Sequence, residues 1–401
     1  MDNTPTSPPP VPAAEHTEAA AITPFRIEVP DTELEDLHAR LDRTRWPAEL
    51  PGDTWDLGVP VGYLRRLADY WRTGYDWPAQ QAALNEVPQF TTTIEGQLIH
   101  FLHARSSEPH ALPLVLTHGW PGSVVEFLDL IGPLTDPRAY GGDPGDAFHV
   151  VVPSLPGFGF SGPVTESWDM PRVAGAWAQL MTRLGYDRYA TQGGDLGATV
   201  SVELGRLAPD KVIGVHVNGG PGPMPALPLS PEEAAALSEL DRDRVSRIGA
   251  FMQEEFGYIA IQSTRPQTLA YGLTDSPVGQ LAWIMDKMRE WTHPRTTLPE
   301  DIINRDRLLT NVMFTWLTRT AGSAAYVGYH TDAGSWGTAK QRSPVPTAAL
   351  VLAHDVGIRA YAERENTITR WTDVDHGGHF AALEEPALLI NDIREFFHTL
   401  R

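Results

Sequence analysis

Cysteine is absent from the 401 residues, which removes disulfide cross-links, thiolate metal sites and a cysteine nucleophile together. Folding then has no need of an oxidising compartment, and a cytoplasmic location is expected. Positive charge is scarce: 31 basic against 51 acidic side chains leave a formal charge of −20. Such a surface repels phosphate backbones and anionic headgroups, so neither nucleic acid nor a membrane is expected as a partner. Lysine occurs only at Lys211, Lys287 and Lys340, and the Arg bias with abundant Ala, Gly and Pro points to a GC-rich bacterial genome. No apolar run approaches the roughly 18 residues that a membrane span needs. Residues 1–23 contain no Lys or Arg and no apolar core, so they do not read as a secretory leader. With Pro8, Pro9 and Pro10 among them they read as a disordered tail. No His-Glu-x-x-His or comparable spacing occurs, and neither a metal nor a cofactor is expected.

What is present can bury a large core, since 42% of the residues are hydrophobic. Leu34, Leu37 and Leu41 recur at helical spacing between Thr32 and Trp46, and Thr32 with Glu35 has the form of a capping box. Residues 24–105 hold many aromatics but too few apolar positions for a core of their own, so this region is expected to pack on something larger. Phe90–Ile94 and Leu98–Leu102 flank Glu95-Gly96 as a hairpin. From residue 106 the rhythm becomes strand, Gly-rich turn, helix. Leu114–Thr117, His149–Val152, Tyr189–Gln192, Val212–Val217, Ala348–Leu352 and Thr369–Val374 are short apolar or β-branched runs, with helices over Met170–Leu184 and Ala198–Leu207. That alternation predicts a doubly wound, mostly parallel α/β sheet, its core formed by 106–218 and 347–401. Residues 219–346 interrupt it with helical patterns at Pro231–Ile248, Val278–Glu290 and Arg307–Arg319, a helical lid over the carboxyl ends of the strands.

Three loops carry residue types suited to chemistry. Gln192-Gly193-Gly194-Asp195-Leu196-Gly197-Ala198 lies between a strand and a helix, with Gly193 and Gly197 two before and two after Asp195, the spacing of a nucleophile elbow. An aspartate there would form an alkyl ester and not an acyl-enzyme; capping of the following helix is the plainer alternative. Thr117-His118-Gly119-Trp120-Pro121-Gly122-Ser123 follows a strand, where the backbone N–H of Trp120 can join that of Leu196 as an oxyanion hole. Asp375-His376-Gly377-Gly378-His379-Phe380 follows the last strand. In the order nucleophile, acid, His, His379 fits the base, with His376 its rival. Asp355, just past a strand end, is the acid partner expected, with Asp373 and Asp375 as competitors.

Taken with Pro24–Pro47, Val152–Gly162 and Gly377–Pro386, these motifs resemble the microsomal-type epoxide hydrolases, over nearly the whole chain beyond residue 23. The resemblance implies an α/β-hydrolase fold with an N-terminal meander and a helical lid, in which Asp195 attacks an epoxide carbon and His379 with Asp355 activates water. Many members carry Glu at the position of Asp355 and Trp at that of Leu196. The resemblance also implies two lid tyrosines that bind the epoxide oxygen. Tyr258 matches the first; Tyr329 is chosen for the second, with Tyr326 in reserve, because Gly328 stands near the expected place. No counterpart of the mammalian membrane anchor is expected. The partners implied are a small-molecule epoxide and water, and a homodimer is left open. The product would be a vicinal diol, in natural-product biosynthesis or in epoxide detoxification. A haloalkane or haloacid dehalogenase and a catalytically silent ligand-binding scaffold are the alternatives.

Overall fold

The computed structural model describes residues 21–52, 55–330 and 341–401, without the side chains of 328–330. Most of the expected N-terminal tail lies outside these residues. Its last residue does not belong to a tail, because Thr23 already pairs with Thr91 in the sheet. The strands are β1 (Thr23–Phe25), β2 (Gln89–Ile94), β3 (Gln97–Ala104), β4 (Leu112–Thr117), β5 (Phe148–Pro153), β6 (Tyr189–Gly193), β7 (Val212–Asn218), β8 (Pro346–Val351) and β9 (Thr367–Asp373). Among the described residues they form one sheet in the order β1-β2-β3-β5-β4-β6-β7-β8-β9. The first three join antiparallel and the rest run parallel. The central strands β4 and β5 read as apolar runs because both faces are covered: Leu114, Val115, Leu116, Val150, Val151 and Val152 are all buried. The β2–β3 hairpin turns at Glu95 (φ 51°) and Gly96 (φ 81°), two consecutive left-handed residues of the kind that match strand twist.

The helices are α1 (Asp31–Asp42), α2 (Val61–Thr73) and α3 (Trp77–Leu84) before the core, then α4 (Leu128–Thr135), α5 (Met170–Arg183) and α6 (Leu196–Leu207). Between β7 and β8 come α7 (Pro231–Ala236), α8 (Glu239–Glu254), α9 (Gly257–Thr264), α10 (Pro266–Asp275), α11 (Pro277–Trp291), α12 (Arg305–Thr318) and α13 (Ala321–His330). The chain ends with α14 (Arg359–Glu365), α15 (Ala381–Glu384) and α16 (Pro386–His398). From β4 the chain crosses one way to β5, and from β6 the other way to β7. Right-handed crossovers therefore place α4 and α6 on opposite faces, and the crevice between β4 and β6 is the switch point where such sheets bind ligands.

Two local expectations are corrected. Helix α1 starts at Asp31 behind Pro30, and no side chain caps it. The proline fixes the entry, and Asp31 and Glu33 face the positive end of the helix dipole, so Thr32 and Glu35 do not form a capping box. The single helical stretch expected at Pro231–Ile248 is broken at Leu237, after which Ser238 accepts from the Asp241 N–H to start α8 afresh.

The aromatic N-terminal region packs on the helices inserted between β7 and β8. Trp71 is buried with its indole N–H on Met313 Sδ (3.3 Å), and the Tyr63, Tyr70 and Tyr75 hydroxyls meet Glu300, Asp306 and Thr310.

Candidate active site

Residues Thr117 and Gly193 are register partners at the carboxyl ends of β4 and β6, so the two Gly-rich turns leave the sheet side by side. Asp195 turns between β6 and α6 at φ 55°, ψ −125°, a conformation that costs a non-glycine residue about 1–3 kcal/mol. The neighbours must be glycine: a Cβ on Gly193 would overlap the Gly197 backbone, and one on Gly197 would overlap the Thr117 carbonyl. Asp195 occupies the N-cap position of α6, yet its side chain makes no cap hydrogen bond. Its Oδ1 instead accepts from the Trp120 N–H at 2.9 Å, and the Leu196 N–H also donates to the carboxylate. The other oxygen, Oδ2, lies 3.5 Å from His379 Nε2. Burial would raise the Asp195 pKa, but the His379 contact and the two backbone N–H groups outweigh it and hold the carboxyl below its ordinary value.

His379 is set by its backbone and its ring. Its N–H donates to the Trp291 carbonyl (2.9 Å), and the indole of Trp291 packs 4.9 Å from the imidazole. Burial disfavours the imidazolium, but the contact with Asp195 and its charge, followed by the charge of Asp355, push the pKa up to about 8. Asp355 is buried beside Gly219, and its Oδ2 accepts from the Leu352 N–H at 3.0 Å. Its loop is tied to the His379 loop by Ala353 N–H to the His376 carbonyl and His354 N–H to the Gly377 carbonyl, while the Arg247 guanidinium grips the carbonyls of Ala353, His354 and Asp355. Burial pushes the Asp355 carboxyl up to about 6 against the pull of His379. Asp355 acts on His379 through charge; among the described residues no direct hydrogen bond joins them.

The rivals stand elsewhere. His376 and Asp375 are exposed and pair with each other at 3.1 Å. Asp373 pairs with Arg244 at 2.6 Å and accepts from Trp371 Nε1. Tyr258, in α9, stacks on Trp120 (centroids 4.9 Å, interplanar 12°) and meets Trp291 edge-on (5.5 Å). Burial, with Asp195 and Glu255 nearby, holds its phenol well above the usual range, so it is protonated at neutral pH. Among the described residues its hydroxyl has no protein partner. Tyr329 belongs to α13, but its side chain lies outside the described residues. Tyr326 is half-buried on the same helix.

Residues 22–127 match the family model described as epoxide hydrolase N terminus, and residues 113–267 match that of the alpha/beta hydrolase fold. A provisionally named epoxide hydrolase of Stigmatella aurantiaca is 45% identical over 385 residues, covering 95% of this chain and 86% of the relative. Epoxide hydrolase 1 of Sus scrofa is 33% identical, covering 97% and 91%. This chain belongs to the microsomal-type epoxide hydrolase family. Among solved structures, the epoxide hydrolase of Aspergillus niger superposes with a TM-score of 0.82 at 30% identity, covering 96% of this chain and 97% of that one. The juvenile hormone epoxide hydrolase of Bombyx mori does so with 0.82 at 30%, covering 95% and 94%.

In this family member several residues at the site escaped the reading of the sequence. Trp291, from the end of α11, holds both His379 and Tyr258. Glu384 accepts from the N–H groups of His293 and Phe380, fastening the His379 loop to the segment after α11. His118, buried and neutral with its pKa pushed down to about 4, links the Gly119 carbonyl to the Leu155 N–H and so shapes the Trp120 turn. Glu126 is a lone acid in the apolar run Val124–Leu128, a signal the sequence does carry. A cavity of about 680 Å³ reaches Asp195, Asp355 and His379 from the side of α6, α14 and residues 219–225. No helix among the described residues is long and apolar enough to cross a membrane.

Proposed function

We propose that this enzyme converts an epoxide into a vicinal diol through an ester on Asp195. The observation that carries the reading is the division of the Asp195 carboxylate. One oxygen, Oδ1, accepts from the Trp120 N–H, the other lies beside His379, and the Leu196 N–H also donates to the carboxylate. Oδ2 bonds to an epoxide carbon while that carbon's bond to oxygen breaks, and the alkoxide takes the Tyr258 hydroxyl proton. Water then adds to the ester carbonyl carbon as its proton passes to His379 Nε2, with Asp355 favouring the imidazolium. The negative charge gathers on Oδ1, where the Trp120 N–H already points, with the Leu196 N–H next to Asp195 in the chain. Collapse expels the diol, which takes the proton from His379. The Asp195 acid returns its own proton to the tyrosinate through solvent.

Leu196 has no side-chain donor to offer a departing halide, and Tyr258 is a protonated acid, which favours epoxide over dehalogenase chemistry. The large cavity beside Asp195 leaves room for a substituent well beyond the three-membered ring. The second tyrosine is assigned to Tyr329, with Tyr326 in reserve, and Tyr258→Phe should slow alkylation by roughly 10²- to 10⁴-fold. The absence of cysteine and the acidic surface favour action in the cytoplasm.

A single turnover in ¹⁸O water with enzyme in excess tests the mechanism. The diol should be unlabelled and the peptide holding Asp195 should gain label; labelled diol in the first turnover would eliminate the ester. His379→Gln should accumulate protein of mass enzyme plus epoxide, and Asp195→Asn, freshly prepared, should form neither adduct nor diol.

A further inference from the structure

Glu126 sits in the short 3-10 helix Val124–Phe127 behind the Trp120 turn. Its carboxyl folds back over that turn, so that a Cβ on Gly122 would collide with Glu126 Oε1. Glycine at 122 leaves that space to the glutamate. The fold of the side chain brings it to a cavity of about 10 Å³ bounded by Gly119, Trp120, Glu126, Asp195, Asn218 and His379. That is close to the ~10–15 Å³ that one water occupies, and the walls are polar enough to hold it. No Lys or Arg pairs with Glu126 among the described residues. The charged groups that act on it are His379 and Asp195, in opposite senses. Burial dominates and pushes the carboxyl up to about 8, so the group is a neutral acid at pH 7.

We propose that Glu126 is the residue that holds the hydrolytic water: its carbonyl oxygen and His379 Nε2 accept the water's two hydrogens and aim its oxygen at the Asp195 carbonyl carbon. This rests on the ester reading above. The chemistry stays balanced: one proton passes to His379 as the oxygen–carbon bond forms, and Glu126 keeps its own proton throughout. The adjoining Ser123 N–H, which donates to Glu126, keeps the carboxyl from turning away.

Two rates separate this role from a structural one. Wild type, Glu126→Leu, Glu126→Met and Glu126→Gln are mixed in excess with styrene oxide, and adduct is followed by rapid quench and intact-protein mass. Leu and Met should alkylate within roughly threefold of wild type yet lose their adduct about 10²-fold more slowly, the scale of a misplaced reactant. Gln, which keeps an accepting carbonyl, should recover most of the decay rate. Met, flexible and close to Glu in volume, decides the matter if Leu does not fold. Adduct decay at the wild-type rate in the apolar variants would overturn the inference, as would equal loss in alkylation and decay, which marks a structural role. If His379→Gln gives no adduct with styrene oxide, the ester reading fails and this inference with it; if it does, only the Glu126 assignment is at stake.

Discussion

One titratable residue changes character as the reaction proceeds. His379 has its pKa pushed up to about 8 against burial chiefly by Asp195, first through their contact and then through charge. Once Asp195 is an ester, both contributions vanish, and burial pulls the imidazole back down toward the neutral base that hydrolysis needs. The pH dependence of adduct decay in a pulse-quench experiment should therefore show a lower apparent pKa than an NMR titration of His379 in the free enzyme; equal values would contradict the coupling. Asp355 carries a different consequence. Its pKa rises from 3.8 to about 6, so folding favours its protonated form. That stabilisation is complete below pH 3.8 and is lost as pH rises through about 6, leaving a buried carboxylate as a cost at neutral pH. Asp355→Asn should accordingly raise the thermal midpoint at pH 8 while slowing adduct decay by roughly 10²-fold or more. A lowered midpoint would mean that the carboxylate's bond to the Leu352 N–H outweighs its burial.

The elements of the site are held by contacts far apart in sequence. Trp71 of α2 is 1% exposed and bonded to Met313 of α12, while Arg40 of α1 bonds Asp275 at the end of α10. The N-terminal region thus braces the inserted helices that carry Tyr258 and Trp291. Trp71→Ala should cost about 3–5 kcal/mol in chemical denaturation. It should also raise KM or lower the alkylation rate, since α11 and α12 lose their support. Unchanged denaturation would show that the region is a passenger on the fold.

Over the whole molecule, the carboxyl end of the sheet gathers the reactive groups, while the stabilising charge lies elsewhere. Asp392 of α16 is buried and accepts from His216, Arg370 and Thr372. Burial alone would raise its pKa, but these bonds hold it far below 3.8. The sign is the reverse of that at Asp355: the stabilisation is present above pH 3.8 and is lost as pH falls toward the folded-state value. Denaturation midpoints should fall on acidification below about pH 4, and Asp392→Asn should lower the midpoint at pH 7 and flatten that acid slope. A parallel slope in the variant would place the acid-labile group elsewhere.

The parts of this protein that could be read without coordinates are those governed by neighbours along the chain. Apolar or β-branched runs mark β4 to β9, glycines two either side of Asp195 mark the elbow, and the order of Asp195, Asp355 and His379 follows from the order of the strands. Side-chain alternation, steric crowding at a turn and strand succession are local properties, so the sequence displays them directly. Which histidine faces Asp195 is another matter, since His376 and His379 are three residues apart and equivalent on paper. Only the packing of Trp291 from α11 turns one inward and leaves the other exposed. The same holds for Thr32 and Glu35, which have the capping pattern but lose to Pro30, and for Glu126, whose place beside His379 depends on the missing side chain at Gly122. Burial, proton affinity and the distance between Asp195 and His379 are sums over residues from every part of the chain, and they take definite values only once the sheet and the inserted helices have closed around the site.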